Sequence, residues 1–297
     1  MKLFGIATFL FCTFHAFVLA QQAVQNGSTV TPVISQYSNL FQNTGGKVLH
    51  DKVNVYIIFY GNWSAPQNQQ EQNIFMQFID NISTSSWFNL LKQYSDSDGH
   101  SVTGPLNLAA AVNDAGSHSL NLTNSVHKQI IIDAVNSGYL SPTNRIDSNG
   151  VYIIMGGPDV ADADFCKSNC GYNSYSDEFQ YMFIGYPSVC PETCIPTMNK
   201  NKSPNNSPAI DAAITIFSHE IQDILTDPRG DAWVIKTGDN VDVELGDFCS
   251  SQGTSSDQFG NLVQTQSGSY NLELNNMKYL VQTIFDLESK QCKLDSS

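Results

Sequence analysis

Val53 to Tyr60 reads VNVYIIFY, a run with almost no polar side to give to water. An extended segment of that kind belongs in the middle of a sheet covered on both faces. Two further runs, Gly150 to Gly157 and Phe179 to Ile184, have the same character, and Gly61, Gly157 and Gly185 close them. Between the runs the apolar period changes to that of a helix. Ile74, Phe75, Phe78 and Ile79, then Trp87, Leu90 and Leu91, recur at helical spacing over about 68–94, broken at Ser83 to Ser86. Val126 to Val135 predicts a third helix and Pro208 to Thr226 a long fourth one. Strands alternating with helices predict an α/β fold with a mixed sheet. No repeat and no linker interrupts the chain after residue 50. We therefore expect a polar leader over 21–47 and a single domain over 48–297. Its last third is loop-rich and disulfide-stabilised, with a short strand around Leu280 to Phe285.

Composition narrows the function classes. With 41% hydrophobic residues the chain can bury a sizeable core, so it is not disordered overall. A net charge of −14 excludes nucleic acid as a natural partner, because phosphate binding needs clustered Lys and Arg. Met1-Lys2, the apolar stretch Leu3 to Leu19 and the ending Val18-Leu19-Ala20 predict a secretory signal peptide over 1–20. Its removal takes away Lys2 and Cys12, leaving a charge of −15 and six cysteines. No second run is long enough to span a bilayer, for which about 18 apolar residues are needed. The expected location is therefore extracellular. Six Asn-x-Ser/Thr sequons, at Asn26, Asn62, Asn81, Asn121, Asn201 and Asn205, fit that route.

Cys166 and Cys170, Cys190 and Cys194 form two Cys-x-x-x-Cys pairs, while Cys249 and Cys292 stand alone. In an exported chain such cysteines are read as disulfides rather than as a zinc site. We expect one long bridge, Cys249 to Cys292, with the other four paired among themselves.

The chemistry-bearing segment is the fourth helix. Ser207 is a favoured N-cap and Pro208 suits the first helical position. Ile210, Ala213, Ile214, Phe217, Ile221, Ile224 and Leu225 fall on one stripe. His219 and Asp223 lie opposite, on a side they share with Ala212 and Ile216, so the helix is predicted to be buried on more than one side. A histidine and a carboxylate one turn apart can grip one ion, and Glu220 sits where a general base would stand. This is the zincin-like His-Glu-x-x-His arrangement with an aspartate in the last place. Zinc is the expected ion; the acidic donor set admits calcium or manganese as alternatives. Glu244 is the first choice for a third ligand and Asp247 the second. Asp159, Asp162 and Asp164 form a smaller acidic group that reads as a solvated turn.

The order of several motifs resembles the EXORDIUM/phosphate-induced protein family. These are Tyr60-Gly61-Asn62-Trp63 after a strand, Asp159-Val160 before Cys166-x-x-x-Cys170-Gly171, and Cys190-Pro191-x-x-Cys194. Ile210-Asp211, Thr226-Asp227-Pro228 and Lys278-Tyr279-Leu280 before Cys292 continue the pattern, over about Gly45 to Lys293. The resemblance implies a secreted protein of growth or extracellular-matrix responses. Two features depart from the plant pattern. Ser218-His219-Glu220, with Trp233 and Glu244-Leu245-Gly246-Asp247-x-Cys249, is similar to microbial relatives with a more metalloprotease-like helix, and Asn173 stands where plant members carry a histidine. Two functions follow as expectations. One is an extracellular protein meeting a matrix or cell-surface component without catalysis. The other is a zinc-dependent hydrolase acting on peptides through His219, Asp223, Glu244 and the base Glu220. Glycan binding through Trp63, Trp87 and Trp233 is a third and weaker reading.

Overall fold

The computed structural model describes residues 41–236, 242–250 and 258–295. The signal peptide expected over 1–20, the expected leader up to residue 40 and the sequon at Asn26 lie outside them. Five strands form the main sheet: β1 (Val53–Tyr60), β2 (Leu106–Asp114), β3 (Val151–Gly156), β4 (Gly171–Tyr175) and β5 (Gln180–Ile184). Their order is β2-β1-β3-β5-β4, with β4 antiparallel to β5 and every other neighbouring pair parallel. Every residue of β3 and β5 is buried, as expected of strands covered on both faces. β2 and β4 were not legible as strands. β2 has an Ala-rich, half-exposed edge sequence, LNLAAAVND, and β4 is the polar GYNSY.

Successive side chains of β1 point to opposite faces, so they feed two cores. Val53, Val55, Ile57 and Phe59 join helices α1 (Pro66–Ile82), α2 (Ser86–Leu91) and α4 (Pro208–Thr226) on one side. Tyr56, Ile58 and Tyr60 meet α3 (Asn124–Asn136) on the other. The break between α1 and α2 has a local cause. Ser85 accepts the Phe88 amide at 3.0 Å and so caps a new helix. All seven apolar residues of the α4 stripe are buried in the first core, where Phe217 packs edge-on against Phe75 and Phe78. Each such side chain contributes on the order of 1.5–3 kcal/mol by leaving water.

Three expectations are corrected. Residues 41–47 do not belong to a polar leader: Phe41 is buried against Tyr94, Trp233, Phe248 and Phe285, and the Thr44 and Gly46 amides donate to Ala232 and Asp231 carbonyls. An aromatic ring with a ready core outweighs its polar neighbours. Ser207 occupies the N-cap position of α4, yet its hydroxyl donates to buried Glu71 instead of accepting a helix amide. The late strand is Ile284–Asp286, paired with Gln291–Lys293, whereas 280–283 is irregular and buried.

Disulfides join Cys166 to Cys190, Cys170 to Cys194 and Cys249 to Cys292. The first two run side by side and tie the loop before β4 to the helical turn Pro191–Cys194 after β5. The third fixes α5 (Leu245–Ser250) to the C-terminal hairpin. Among the described residues, no helix is long and apolar enough to cross a membrane.

Candidate metal centre

α4 is buried almost all round, so its polar residues face protein rather than solvent. Asp223 and Asp227 are 1% and 3% exposed, which rules out a solvated acidic face. Asp227 accepts the Asp231 and Ala232 amides and ends the helix. Asp223 projects one turn after His219, and its Oδ2 lies 3.5 Å from His219 Nε2. Asp247 Oδ1 stands 3.6 Å from the same nitrogen, carried by the first turn of α5. His219, Glu220 and Asp223 each place a ligand atom within 4.8 Å of the others. Glu244 sits one step away. Asn173, on β4, donates its Nδ2 to Glu220 Oε2 and to Glu244 Oε2, both at 3.3 Å. Asp247 therefore faces the histidine nitrogen directly, while Glu244, the first choice from sequence, meets Glu220 through an amide.

Two close approaches let these elements meet. At Gly171, at the head of β4, a Cβ would lie 2.6 Å from Ile216 of α4. At Gly246 it would lie 2.9 Å from Asp223 Oδ2 and 3.0 Å from His219 Cγ. The backbone of α5 thus rests on the His219–Asp223 pair, and the Gly246 amide donates to Asp223 Oδ1. A bare backbone is what fits there.

Gln282 sets the proton of His219. Its Nε2 donates to the Gly246 carbonyl, which turns Oε1 toward His219 Nδ1 at 3.0 Å. Nδ1 must then be the donor, and in the neutral ring Nε2 keeps its lone pair. That lone pair faces two carboxylates across 3.5 and 3.6 Å. Burial pushes the Glu220, Asp223, Glu244 and Asp247 carboxyls above their ordinary range; for the first three, neighbouring acids add to the effect. Glu220 rises to about 7. Burial alone would lower His219, but Glu220, Asp247, Gln282 and Glu244 together raise it. Four acids and one imidazole crowd a partly buried space, with Glu220 and Asp223 buried and the His219 and Asp247 side chains 21% and 24% exposed, which is costly unless cations or protons balance them. The donor set, one nitrogen with several carboxylate oxygens, fits a divalent ion.

The other singled-out residues disperse. Asp159 accepts the Asn62 amide at 2.8 Å, and Asp162 is buried, accepting the amides of Asp164 and Phe165. They do not converge as a cation site, and Asp162 is not solvated. Trp63, Trp87 and Trp233 are core residues, each donating its indole N–H to a backbone carbonyl, so none presents a face to a glycan. Of the sequons, Asn62, Asn121 and Asn201 are exposed and Asn81 half-buried. Asn205 is the exception: its Nδ2 donates to Asp211 and to the Lys278 carbonyl, bonds that a glycan on that nitrogen would break. Sequence reasoning missed Gln282 as a site residue and Asn173 as the amide between two acids. A polar residue inside the apolar run Leu280-Val281-Gln282-Thr283-Ile284 was the available signal for the first.

The fold and site thus define a disulfide-bonded α/β protein with a buried carboxylate–histidine centre on its longest helix. The region described as "Phosphate-induced protein 1 conserved region" matches residues 41–294, and the chain belongs to this EXORDIUM/phosphate-induced family. It is similar to Protein EXORDIUM-like 3 of Arabidopsis thaliana, with 28% identity over 83% of this chain and 80% of that one. Protein EXORDIUM-like 5 of the same plant is 24% identical over 87% of this chain and 78% of its own length. No solved structure matches the chain.

Proposed function

We propose that this protein is exported after loss of residues 1–20 and acts outside the cell, in matrix or growth responses, through a divalent-cation centre built on α4. His219, Asp223 and Asp247 hold the ion, and Glu220 and Glu244 complete the acidic surround. The observation that carries this reading is the orientation of His219. Gln282 fixes its Nδ1 as a donor, which leaves its Nε2 turned to Asp223 and Asp247 at 3.5 and 3.6 Å. Zinc is the first candidate ion, with calcium and manganese as alternatives. The partner is a matrix or cell-surface component. Metal analysis of the chain, expressed by a secretory route, tests the centre: about one divalent ion per chain is expected, and none in His219→Ala. Absence of bound or titratable metal in both forms would refute it.

One observation favours hydrolysis as a second reading. Glu220 places a carboxylate oxygen beside His219 and Asp223 without being either of the paired ligands, the position of a general base. A bound cation would polarise a peptide carbonyl, and Glu220 would take a proton from water. Glu220→Gln should then retain metal and lose cleavage of a denatured-protein substrate. Equal cleavage by the variant would sink the hydrolase reading while leaving the metal centre standing.

A further inference from the structure

The two Cys-x-x-x-Cys pairs are joined crosswise, which gathers four sulfurs against the core on the α3 side of the sheet. Cys166 binds Cys190 and Cys170 binds Cys194, with a separation of 24 residues in each case. The bridges therefore lie side by side between the same two segments, the loop before β4 and the turn Pro191–Cys194. Within that turn the Cys194 amide donates to the Cys190 carbonyl at 3.0 Å, so the two side chains stack one helical turn apart. Their sulfurs belong to different bridges, yet they are only 3.4 Å apart. A disulfide sulfur has one sulfur partner, at about 2.05 Å. Here a second stands at contact distance.

Access and backbone conformation both favour opening from the loop. Cys166, Cys170 and Cys190 are half-buried, whereas Cys194 is 5% exposed. Cys166 also holds a φ of +65°, in the left-handed region that disfavours a residue with a Cβ. The bridge to Cys190 helps to hold that backbone in place, and breaking it lets the loop relax. Lys167, exposed beside Cys166, offers positive charge to an approaching thiolate. Thiol–disulfide exchange proceeds by attack of a thiolate on a disulfide sulfur, and access sets its rate. A thiolate released on the turn has only to close from 3.4 Å to about 2.05 Å to join its neighbour. Both sulfurs sit on one short segment, so this second attack closes no long loop.

We propose that the paired bridges form an exchange site for a small monothiol, which moves the cross-link from between the two segments onto the turn alone. The incoming thiolate attacks Cys166 Sγ and forms a mixed disulfide there, while the Cys166–Cys190 bond breaks and its electron pair leaves on Cys190. The Cys190 thiolate then attacks Cys194 Sγ. The Cys170–Cys194 bond breaks, and Cys170 leaves as a thiolate that takes up the proton of the incoming thiol. Two disulfides stand before and after, so no oxidant or reductant is consumed. Cys170 immediately precedes β4, and the exchange therefore unties the head of that strand. The full chain, expressed by a secretory route, is treated with millimolar glutathione, trapped with iodoacetamide and mapped by mass spectrometry. The expected product carries a Cys190–Cys194 bridge, glutathione on Cys166 and the alkyl group on Cys170. Amide hydrogen exchange over 166–171 should quicken roughly tenfold in that product. The proposal is overturned if only the original pairs are recovered, or if either label is found on Cys190 or Cys194. Cys166→Ser poses the same question without added thiol, because it leaves Cys190 free beside Cys194. A Cys190–Cys194 bridge with Cys170 free is expected in that variant, and a predominant Cys170–Cys194 bridge would also overturn the proposal.

Discussion

Two histidines on opposite faces of one sheet stand equally close to a buried carboxylate. His127 Nε2, on α3, is 3.5 Å from Asp162 Oδ2, and His219 Nε2, on α4, is 3.5 Å from Asp223 Oδ2. Their surroundings differ in how many acids each must answer. His127 lies flat against Phe183 and hydrogen-bonds Tyr172, and its single acid has its second oxygen filled by two backbone amides. His219 faces Asp223 and Asp247, with Glu220 and Glu244 behind them. A short histidine–carboxylate distance therefore says little about function. The number of acids gathered around the histidine says more: one at His127 and four at His219.

The largest effect should come from removing the single acid of the His127 region. Asp162→Ala would strand the Asp164 and Phe165 amides without an acceptor. A loss of about 3–5 kcal/mol is expected in urea denaturation, identical with and without divalent ions. A metal-dependent loss would mean that the two regions are not separate.

Acid should weaken the same region through His127. Burial lowers its pKa from 6.5 to about 4. The unfolded chain therefore takes up a proton between pH 6.5 and about 4 that the folded chain refuses. The associated stability is fully present above pH 6.5 and is lost as pH falls toward 4, by about 3 kcal/mol. Denaturation of the parent and of His127→Gln at both ends of that window isolates the contribution, because the other acids cancel in the difference. A parallel fall in the two proteins would show that His127 is not held neutral.

These contrasts were unevenly legible. The apolar runs at Val53, Val151 and Phe179 announced three strands, because burial on both faces leaves no polar alternation to confuse. Edge strands β2 and β4 gave no such signal, since half-exposure and Ala or Asn content mimic a loop. The α4 residues were readable because 3.6 residues per turn fixes which side chains share a side. Asn173, Gln282 and the choice of Asp247 over Glu244 depend on how a strand and two loops fold back onto that helix. No local period encodes such contacts. His127 carried a faint signal, a histidine beside the Ile130–Ile131 apolar face of α3.

Divalent ions should separate the two regions in the opposite sense. With free ion at about a hundred times its dissociation constant, binding to the folded chain adds about 2.7 kcal/mol. Thermal denaturation in zinc, manganese or calcium against EDTA reads this as a raised midpoint. His219→Ala and Asp223→Asn should abolish the shift, and His127→Gln should leave it intact. A shift that survives in both centre variants would place the ion elsewhere.

Gly246→Ala is the finest probe, because it alters the site without replacing a donor atom. The added methyl carbon would sit 2.9 and 3.0 Å from the two Asp223 oxygens and 3.0 Å from His219 Cγ, closer than such contacts allow. Either α5 lifts away from α4 or the His219–Asp223 pair rotates. Both movements take Asp247 from its 3.6 Å position beside His219 Nε2. Overpacking of this kind costs about 1–2 kcal/mol of stability. Calorimetry with zinc should show affinity reduced by roughly tenfold, the usual scale for a disturbed ligand support. The acid-induced loss assigned to His127 should not change, because α3 and its core lie across the sheet. Undiminished zinc affinity in the variant would remove Asp247 and α5 from the centre and reduce it to the single turn of α4.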